Sequence, residues 1–305
     1  MVNQEKRGIW QYEDVLPKVA PQFRVTLGEG NTPVEKHDSS LFKLEYTNPT
    51  GSVKDRGFAY QISALKEKGI NRAVLSSSGN AAISAASYCS LAGIDLTVFV
   101  STRIHPKKLE RLNKLNVTIQ KSLRPKSDAI KFSKANALYN LRQSKEEIGA
   151  VGFQTLGYEI GELSNSIDAI FIPVSSATTL VGMAEGLRQK GIYPAIHIVQ
   201  TTSIHSLASL FDTDFIKTDR SIADAIVARS TPRAEEILDT IKKFGGSGWV
   251  VSDQEIVKAH EWLTQKNLLC SYEGAAALAG LWKAKDKGYT YKNPLCLLTG
   301  TYYGK

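Results

Sequence analysis

The feature that most limits the possible folds of this 305-residue sequence is a regular alternation of short apolar runs and longer helical patterns. In the first half, this alternation predicts strands at 73–78, 95–101 and 117–122, and helices at 82–93, 106–115 and 127–143. Neighbouring parallel strands need crossover connections, and helical crossovers produce this kind of repeat. The segment therefore predicts an α/β unit with a parallel sheet.

The second half of the chain continues the alternation. It predicts strands at 168–174, 195–201 and 294–300, and helices at 178–191, 252–266 and 274–288. Ser252 and Glu255 have capping-box spacing at the start of one of these helices. We therefore predict two α/β lobes. Ligands in open α/β sheets bind beyond the carboxyl ends of the strands, so we expect a cleft where strand ends meet helix starts.

Composition limits the class of protein. Cys89, Cys270 and Cys296 are far apart in the sequence and predict reduced core thiols. The five histidines also lack metal-ligand spacing, and His197 alternates within a strand as a structural residue would, so we predict no metal site. No apolar run approaches the roughly 18 residues of a membrane span, and no signal-peptide pattern opens the chain. We predict a soluble, cytoplasmic protein.

The positive charge of the chain is concentrated in one segment. Residues 103–145 hold twelve Lys or Arg against Glu110 and Asp128, while the whole chain has a net charge of +8. Such a surface attracts anions, including phosphate esters and nucleic acid. Aromatic residues are not interleaved with the charges as they are in a base-stacking platform. We therefore favour a solvated surface around two helices over a nucleic-acid partner.

Lys54 has the most informative position of any charged residue. Phe58, Ile62 and Leu65 have the spacing of one helical face. This pattern predicts a helix that begins near Ser52, with Lys54 in its first turn. The helix dipole is positive at that end and disfavours an ammonium group. A lysine at this position is explained if it binds an anionic ligand or forms a covalent imine. The alternative is an exposed lysine whose side chain points away from the start of the helix.

Three further segments are rich in hydroxyl and amide side chains. The sequence SSSGN at 76–80 offers hydroxyls, an amide and helix N–H groups that suit a carboxylate and a ring oxygen. The sequence VSSATT at 174–179 offers four hydroxyls that suit a phosphate. The last predicted strand ends in Thr299 and Gly300. Each segment taken alone is also compatible with an ordinary helix cap or strand end.

The order of these segments resembles that of the fold-type II pyridoxal 5′-phosphate (PLP) enzymes, most closely the threonine synthases. The same superfamily contains serine and threonine dehydratases and cysteine synthases. The resemblance covers roughly residues 25–300, and its most specific part is the SVKDRG sequence at 52–57. The segments that carry it are GEGNTP (28–33), NPTGSVKDRG (48–57), SSGNAA (77–82), IPVSSATTL (172–180), YEGAAALAGL (272–281) and LTG (298–300).

The resemblance implies an α/β fold like that of the tryptophan synthase β chain, with two lobes that are each a mostly parallel twisted sheet flanked by helices. It implies a small domain at 46–149, which carries the PLP lysine and the asparagine loop. A large domain at 1–45 plus 150–305 would bind the cofactor phosphate. The homology leaves the oligomeric state open, with a homodimer as one option.

The resemblance also implies a role for individual residues. Lys54 would form the Schiff base with PLP and act as the general base, and Asn80 would bond the phenolic oxygen of the cofactor. Glu273 lies beside the ring in relatives. Thr299 would meet the pyridine nitrogen. The substrate carboxylate would be held by Ser77, Ser78 and Gly79, and the cofactor phosphate would be bound by Ser175, Ser176, Ala177, Thr178 and Thr179.

The sequence departs from the family at two places. Ser175 and Ala177 stand where relatives usually have glycine, and Tyr302 replaces the last glycine of a T-G-x-G pattern.

We predict a PLP-dependent carbon–oxygen lyase that converts O-phosphohomoserine into threonine and phosphate. The alternatives are a serine/threonine dehydratase, a cysteine-synthase-like β-replacement enzyme, and a degenerate relative that binds PLP or an amino acid without turnover. The expected partner is an amino-acid substrate, with or without a phosphate group.

Overall fold

The structure is a computed structural model, and it describes residues 8–163 and 167–304. The described residues form ten strands and ten α-helices. The strands are β1 Val34–His37, β2 Ser40–Lys43, β3 Arg72–Ser76, β4 Asp95–Ser101, β5 Thr118–Ser122, β6 Tyr139–Asn140, β7 Ala169–Pro173, β8 Ala195–Thr201, β9 Gly248–Val251 and β10 Pro294–Leu297. The helices are α1 Lys54–Glu67, α2 Asn80–Ala92, α3 Pro106–Asn113, α4 Pro125–Ala135, α5 Ile148–Val151, α6 Gln154–Glu162, α7 Thr178–Gln189, α8 Ala234–Phe244, α9 Asp253–Gln265 and α10 Tyr272–Asp286.

The chain divides into two compact units. Unit 1 contains residues up to 30 and residues 48–155, and unit 2 contains residues 31–47 and the residues from 156 onward. Unit 1 has a four-stranded sheet in the order β5-β4-β3-β6, and every pair in it is parallel. The middle strands β3 and β4 are apolar and largely buried, as expected for a parallel sheet. Helices α1 and α2 pack against each other.

Unit 2 has a six-stranded sheet in the order β1-β2-β10-β7-β8-β9. Only the β1–β2 hairpin at its edge is antiparallel. Alanine-rich α10 packs on α9 and on the sheet, because its small side chains allow close approach. Both units therefore have the α/β parallel-sheet architecture that the sequence predicted.

His197 is a structural residue of unit 2, as its place in a strand predicted. It stacks on Phe171 with ring centroids 4.5 Å apart. Trp249 Nε1 donates to its Nδ1 at 3.2 Å, and the Tyr291 hydroxyl lies 3.0 Å from its Nε2. Burial lowers the pKa of His197 to about 4, so the ring stays neutral at physiological pH.

One predicted helix was too long. The pattern at 127–143 predicted a single helix, but α4 ends at Ala135, and Ala137 has a left-handed φ of 51°. Tyr139 and Asn140 then form the short strand β6, which pairs in parallel with β3. The pairing with β3 decides the conformation of these two residues, and a helical pattern along the sequence does not contain that information.

The division into units differs from the predicted domains mainly in the N-terminal segment, with smaller differences at 46–47 and 150–155. The sequence placed residues 1–45 with 150–305, whereas residues up to 30 belong to unit 1 with 48–155. Hydrogen bonds explain the difference, because Val25 N donates to Ser63 Oγ at 2.8 Å and the Tyr88 hydroxyl donates to Glu29 Oε2 at 2.7 Å.

Several further predictions concern the chain as a whole. The three cysteines are free and buried, as predicted for core thiols. The basic residues of 103–145 are mostly exposed, which supports a solvated surface. Across residues 8–163 and 167–304, no three His, Cys, Asp or Glu side chains are grouped as a metal site. Within those same ranges, every helix is too short or too polar to cross a membrane.

Candidate functional site

Lys54 is the first residue of α1, which confirms that it lies in the first helical turn. Part of its side chain reaches solvent, but the ammonium group is desolvated. Desolvation by burial lowers the pKa of Lys54 from 10.5 to about 8. Its Nζ lies 5.4 Å from the centroid of the Phe153 ring. At neutral pH such an amine is uncharged more often than an ordinary lysine, which suits a nucleophile or a general base.

Gly57 allows two other side chains to approach α1 near Lys54. A Cβ at Gly57 would lie 2.5 Å from ring atoms of Phe153 and 2.6 Å from Gln143 Nε2. The glycine of the KDRG sequence is therefore required by packing. Gln143 Nε2 is buried and has no hydrogen-bond partner among the described residues. Phe153 and Gln143 could not be found from the sequence, because neither belongs to a motif and only the tertiary fold brings them to α1.

The turn at 76–80, which we call the amide turn, joins β3 to α2. The Ser77 hydroxyl accepts a hydrogen bond from Gly79 N at 3.2 Å. The Ser78 hydroxyl accepts one from Ser101 N at 2.6 Å. These bonds use the hydroxyl oxygens as acceptors and fix the shape of the turn. Each serine still has a hydroxyl proton, the kind of donor that a substrate carboxylate would use.

Asn80 is the first residue of α2, and it closes the amide turn. Its Oδ1 is buried and has no hydrogen-bond partner within the described parts of the chain. Beside it, a Cβ at Gly79 would meet no described atom within 4 Å. Buried polar atoms are nearly always satisfied, so an orphaned amide next to open space calls for an explanation. A bound ligand would supply the missing partner.

The turn at 174–179, which we call the hydroxyl turn, joins β7 to α7. Ala177 is the N-cap of α7 and has a left-handed φ of 60°. That conformation is strained for a residue with a Cβ. Thr178 and Thr179 begin the helix and are buried. The hydroxyls of Thr178 and Ser176 lie 3.2 Å apart. The first turn of a helix and its hydroxyls suit an anion.

Ser175 has a role that the sequence did not reveal. Its hydroxyl oxygen accepts hydrogen bonds from Val227 N at 3.1 Å and Ala228 N at 3.2 Å. In the same segment, the Thr231 hydroxyl donates to Ser176 O at 3.0 Å. The hydroxyl turn therefore holds part of the long irregular segment between β8 and α8. The length of that segment is the one sequence feature that hints at a role, because long irregular loops inside compact domains are often functional.

Thr299 lies two residues beyond β10, and it is half-buried. Strand β10 pairs in parallel with β7, so Thr299 and the hydroxyl turn both follow the carboxyl ends of neighbouring strands. Gly300 O accepts from Ser271 N at 2.7 Å, and Thr301 bridges to Cys270. These contacts fix the backbone directly after Thr299.

Two other residues noted in the sequence have protein partners. Glu273 Oε1 accepts from Ala225 N at 2.9 Å, so this carboxylate also holds the segment between β8 and α8. The Tyr302 ring lies 4.7 Å from His260 and 5.4 Å from Tyr272, measured between centroids. Tyr302 is therefore packed within an aromatic cluster.

Comparisons with known proteins extend these observations. The profile of a family described as pyridoxal-phosphate dependent enzyme matches residues 25–300. The threonine synthase of Methanosarcina acetivorans is 28% identical over 96% of this chain and 79% of its own length. That of Halalkalibacterium halodurans is 27% identical, over 96% and 88%. The solved structure of maize serine racemase has a TM-score of 0.79 at 21% identity, and the match covers 90% of this chain and 89% of that one.

Proposed function

This chain belongs to the pyridoxal-phosphate dependent enzymes, and we propose that it is a lyase of the threonine synthase kind. Its fold is the type II fold predicted from the sequence, with parallel-sheet units like those of the solved relatives. The proposed reaction consumes O-phosphohomoserine and water and yields threonine and inorganic phosphate. The observation that carries this choice is the similarity to threonine synthases along nearly the whole chain.

The residues present fit PLP on three observations. Asn80 has a buried amide atom without a described partner, and open space adjoins Gly79. The hydroxyl turn has a left-handed N-cap followed by buried threonines, an arrangement that suits a phosphate. Lys54 has the lowered pKa that favours attack on an aldehyde. In this proposal Lys54 carries the cofactor, Asn80 bonds its phenolic oxygen, Thr299 meets its ring nitrogen, and Ser175, Ser176, Ala177, Thr178 and Thr179 surround its phosphate.

The chemistry follows from the types of these residues. Bound PLP supplies an electron sink for the bonds at the substrate Cα. The amine of Lys54, when it is not joined to the cofactor, would be the base that moves protons at the substrate Cα. The hydroxyls of Ser77 and Ser78 and the N–H of Gly79 hold the substrate carboxylate. Thr299 is a neutral group, which does not keep a ring nitrogen protonated as a carboxylate would. That choice favours elimination over transamination.

A second candidate function is favoured by the hydroxyl turn. The Ser175 hydroxyl oxygen accepts hydrogen bonds from two backbone N–H groups, and Ala177 places a Cβ at the N-cap of α7. A turn that the protein itself completes depends less on the cofactor for its shape. This favours a relative that binds PLP or an amino acid without turnover.

A substrate screen of the PLP-loaded protein tests the proposal. We expect phosphate release and threonine formation from O-phosphohomoserine, and neither from the Lys54→Ala variant. 2-Keto acid formation from serine or threonine would replace the proposal with a dehydratase. Cysteine formation from O-acetylserine and sulfide would replace it with a β-replacement enzyme. A visible absorbance band without any turnover would favour the second candidate. A protein that stays colourless with PLP would contradict the lyase and leave only amino-acid binding for the second candidate.

A further inference from the structure

Asp55 directly follows Lys54 in α1, and its side chain is fully buried. Its carboxylate accepts hydrogen bonds from Thr50 N at 2.7 Å, from Ser84 Oγ at 2.6 Å and from the Thr50 hydroxyl. A buried carboxylate is costly unless hydrogen bonds satisfy it. Three converging donors from two other segments therefore hold this side chain in one position.

The partners of Asp55 join the parts of unit 1 that carry the proposed cofactor residues. Thr50 lies in the turn that leads into α1. Ser84 lies on α2, four residues after Asn80, and so on the same face of that helix. One carboxylate therefore connects the entrance of α1, the residue after Lys54 and the first turns of α2.

The carboxylate is ionised at neutral pH. Burial raises the pKa of Asp55 to about 6, and repulsion from Glu29 adds to that effect. The hydrogen bonds from Ser84 and Thr50 act in the opposite direction, because they favour the charged form. An ionised carboxylate accepts hydrogen bonds only, so all three contacts point inward to Asp55.

We infer that Asp55 is a positioning residue, which fixes the direction of the Lys54 side chain relative to Asn80 without contact with the cofactor. The inference rests on the proposed function, in which Lys54 carries PLP and Asn80 bonds its phenolic oxygen. Consecutive residues of a helix project about 100° apart. An anchored Asp55 therefore prevents rotation of the first turn of α1 about its own axis.

The geometry gives this anchor a large effect on reactivity. The amino group at the tip of an extended lysine lies on the order of 8 Å from the helix axis, so a rotation of roughly 7° displaces it by about 1 Å. A displacement of about 1 Å can lower a reaction rate by roughly a hundredfold. We therefore expect loss of the anchor to weaken the linkage between Lys54 and the cofactor more than the binding of the cofactor phosphate.

Two variants test the anchor at different strengths. Asp55→Asn keeps the shape of the side chain but turns one acceptor into a donor that faces hydroxyl groups. Ser84→Ala removes only the connection to α2, so it decides the question if Asp55→Asn does not fold. Each protein is titrated with PLP and with 4-deoxypyridoxine 5′-phosphate, an analogue that lacks the aldehyde and cannot join Lys54.

We expect Asp55→Asn to bind PLP roughly tenfold more weakly, which is the factor for one lost hydrogen bond to a charged group. Its affinity for the analogue should stay within about twofold of the wild type, because the phosphate site lies on other residues. Ser84→Ala should weaken PLP binding in the same direction but by less, about threefold, because Asp55 keeps its two hydrogen bonds to Thr50. In a Lys54→Ala background, Asp55→Asn should have no further effect on PLP affinity, since a double-mutant cycle isolates the coupling.

Glu29→Gln is a matched control in the same unit. Glu29 is also fully buried, and it accepts from Ile9 N, Leu27 N and the hydroxyls of Thr26 and Tyr88. None of these partners belongs to the first turn of α1. Glu29→Gln also removes the repulsion that raises the pKa of Asp55, so Asp55 stays ionised and its three hydrogen bonds are kept. Glu29→Gln should lower the melting temperature as Asp55→Asn does, but it should leave the ratio of PLP affinity to analogue affinity unchanged.

The outcomes separate this inference from the proposed function. A wild-type affinity ratio in folded Asp55→Asn and Ser84→Ala would overturn the positioning role alone. The same would follow if the effect of Asp55→Asn persisted in the Lys54→Ala background. Equal PLP binding by Lys54→Ala and the wild type would instead overturn the proposed role of Lys54, and the inference with it.

Discussion

The amide turn at 76–80 and the hydroxyl turn at 174–179 look alike in sequence but differ in how the protein completes them. Both join a parallel strand to a helix, and both are rich in serine. In the amide turn, the Oδ1 atom of Asn80 has no partner among the described residues. In the hydroxyl turn, Ser175 holds backbone N–H groups of another segment, and Ala177 takes a strained conformation.

The difference indicates which turn depends more on a ligand. A buried polar atom without a partner destabilises the protein until a ligand forms a hydrogen bond with it. Ligand binding should therefore stabilise the amide turn more than the hydroxyl turn. The hydroxyl turn already has many of its hydrogen bonds. Substitutions in the amide turn should therefore act mainly on binding, whereas substitutions in the hydroxyl turn should act on binding and stability together.

The largest expected effect is the loss of the cofactor linkage in Lys54→Ala. The wild type should show a visible absorbance band with PLP, and borohydride should fix the label on Lys54. Because the pKa of Lys54 is lowered to about 8, the neutral amine increases as pH rises through 8. The rate of cofactor attachment should therefore rise with pH and level off above pH 8, as stopped-flow absorbance can measure.

The matched control for that experiment is Lys68→Ala, which removes an exposed lysine just beyond the other end of α1. It should keep the band and the pH profile. A rate that still increases at pH 10 would show that the pKa of the Lys54 amine is that of an ordinary lysine. The lowered pKa would then no longer support Lys54 as the residue that attacks the cofactor aldehyde.

A substantial effect is also expected in the hydroxyl turn. Replacing Thr178 and Thr179 together by valine removes two donors and nearly preserves shape. Each lost hydrogen bond to a charged group costs about 1.5–3 kcal/mol, so PLP affinity should fall at least tens-fold. Titration of PLP fluorescence or absorbance measures this, and unchanged affinity would mean that the phosphate binds elsewhere.

Thr202→Val provides the control for buried threonines in unit 2. Thr202 is buried, and its hydroxyl lies 2.8 Å from the hydroxyl of Thr218. The variant should lower the melting temperature without a change in PLP affinity. If it also weakens PLP binding, the loss of PLP affinity in the Thr178 and Thr179 double variant is caused by general destabilisation and not by lost contacts of the hydroxyl turn.

Much of the fold was predictable because its central strands are short, continuous apolar runs. The bounds of β4 and β8 match the predicted 95–101 and 195–201, and the Ser252–Glu255 capping box is present at α9. Strand β6 was not predictable, because two residues contain no periodicity and pairing with β3 decides their conformation. The hydrophobic pattern of a sequence predicts only those helices and strands that are long enough to show a repeat of apolar residues.

The candidate site was predictable in the same limited sense. Motifs indicated Lys54 in a first helical turn, and the structure confirms that position. The contacts of Gln143 with α1, and of Ser175 with the segment after β8, join residues far apart in the chain. A single sequence contains no information on such pairs, so their roles came only from the structure.

A smaller effect is expected for Asn80→Ala in the amide turn. PLP affinity should fall about tenfold, since one hydrogen bond to the cofactor is lost. The melting temperature of the apoprotein should stay equal or rise slightly, because the variant removes a buried polar atom that has no described partner. A clear loss of apoprotein stability would show that Asn80 Oδ1 is satisfied in solution, and it would remove the contrast between the two turns.

The smallest expected effect is that of Ala177→Gly in the hydroxyl turn. A left-handed conformation destabilises a residue with a Cβ by roughly 1–2 kcal/mol, and glycine removes that strain. Glycine also gives the unfolded chain more conformational freedom, which offsets about 0.4–1 kcal/mol of the gain. The variant should therefore be about 0.5–1 kcal/mol more stable, as urea unfolding of the apoprotein can measure. Ala137→Gly is the matched control, because exposed Ala137 has a similar φ of 51° outside both turns. Both variants should gain stability, but only Ala177→Gly should also strengthen PLP binding, by about twofold, since backbone N–H groups then approach the phosphate without a Cβ. Equal stability gains with unchanged PLP affinity in both would mean that a glycine at this position relieves strain and does not serve the cofactor.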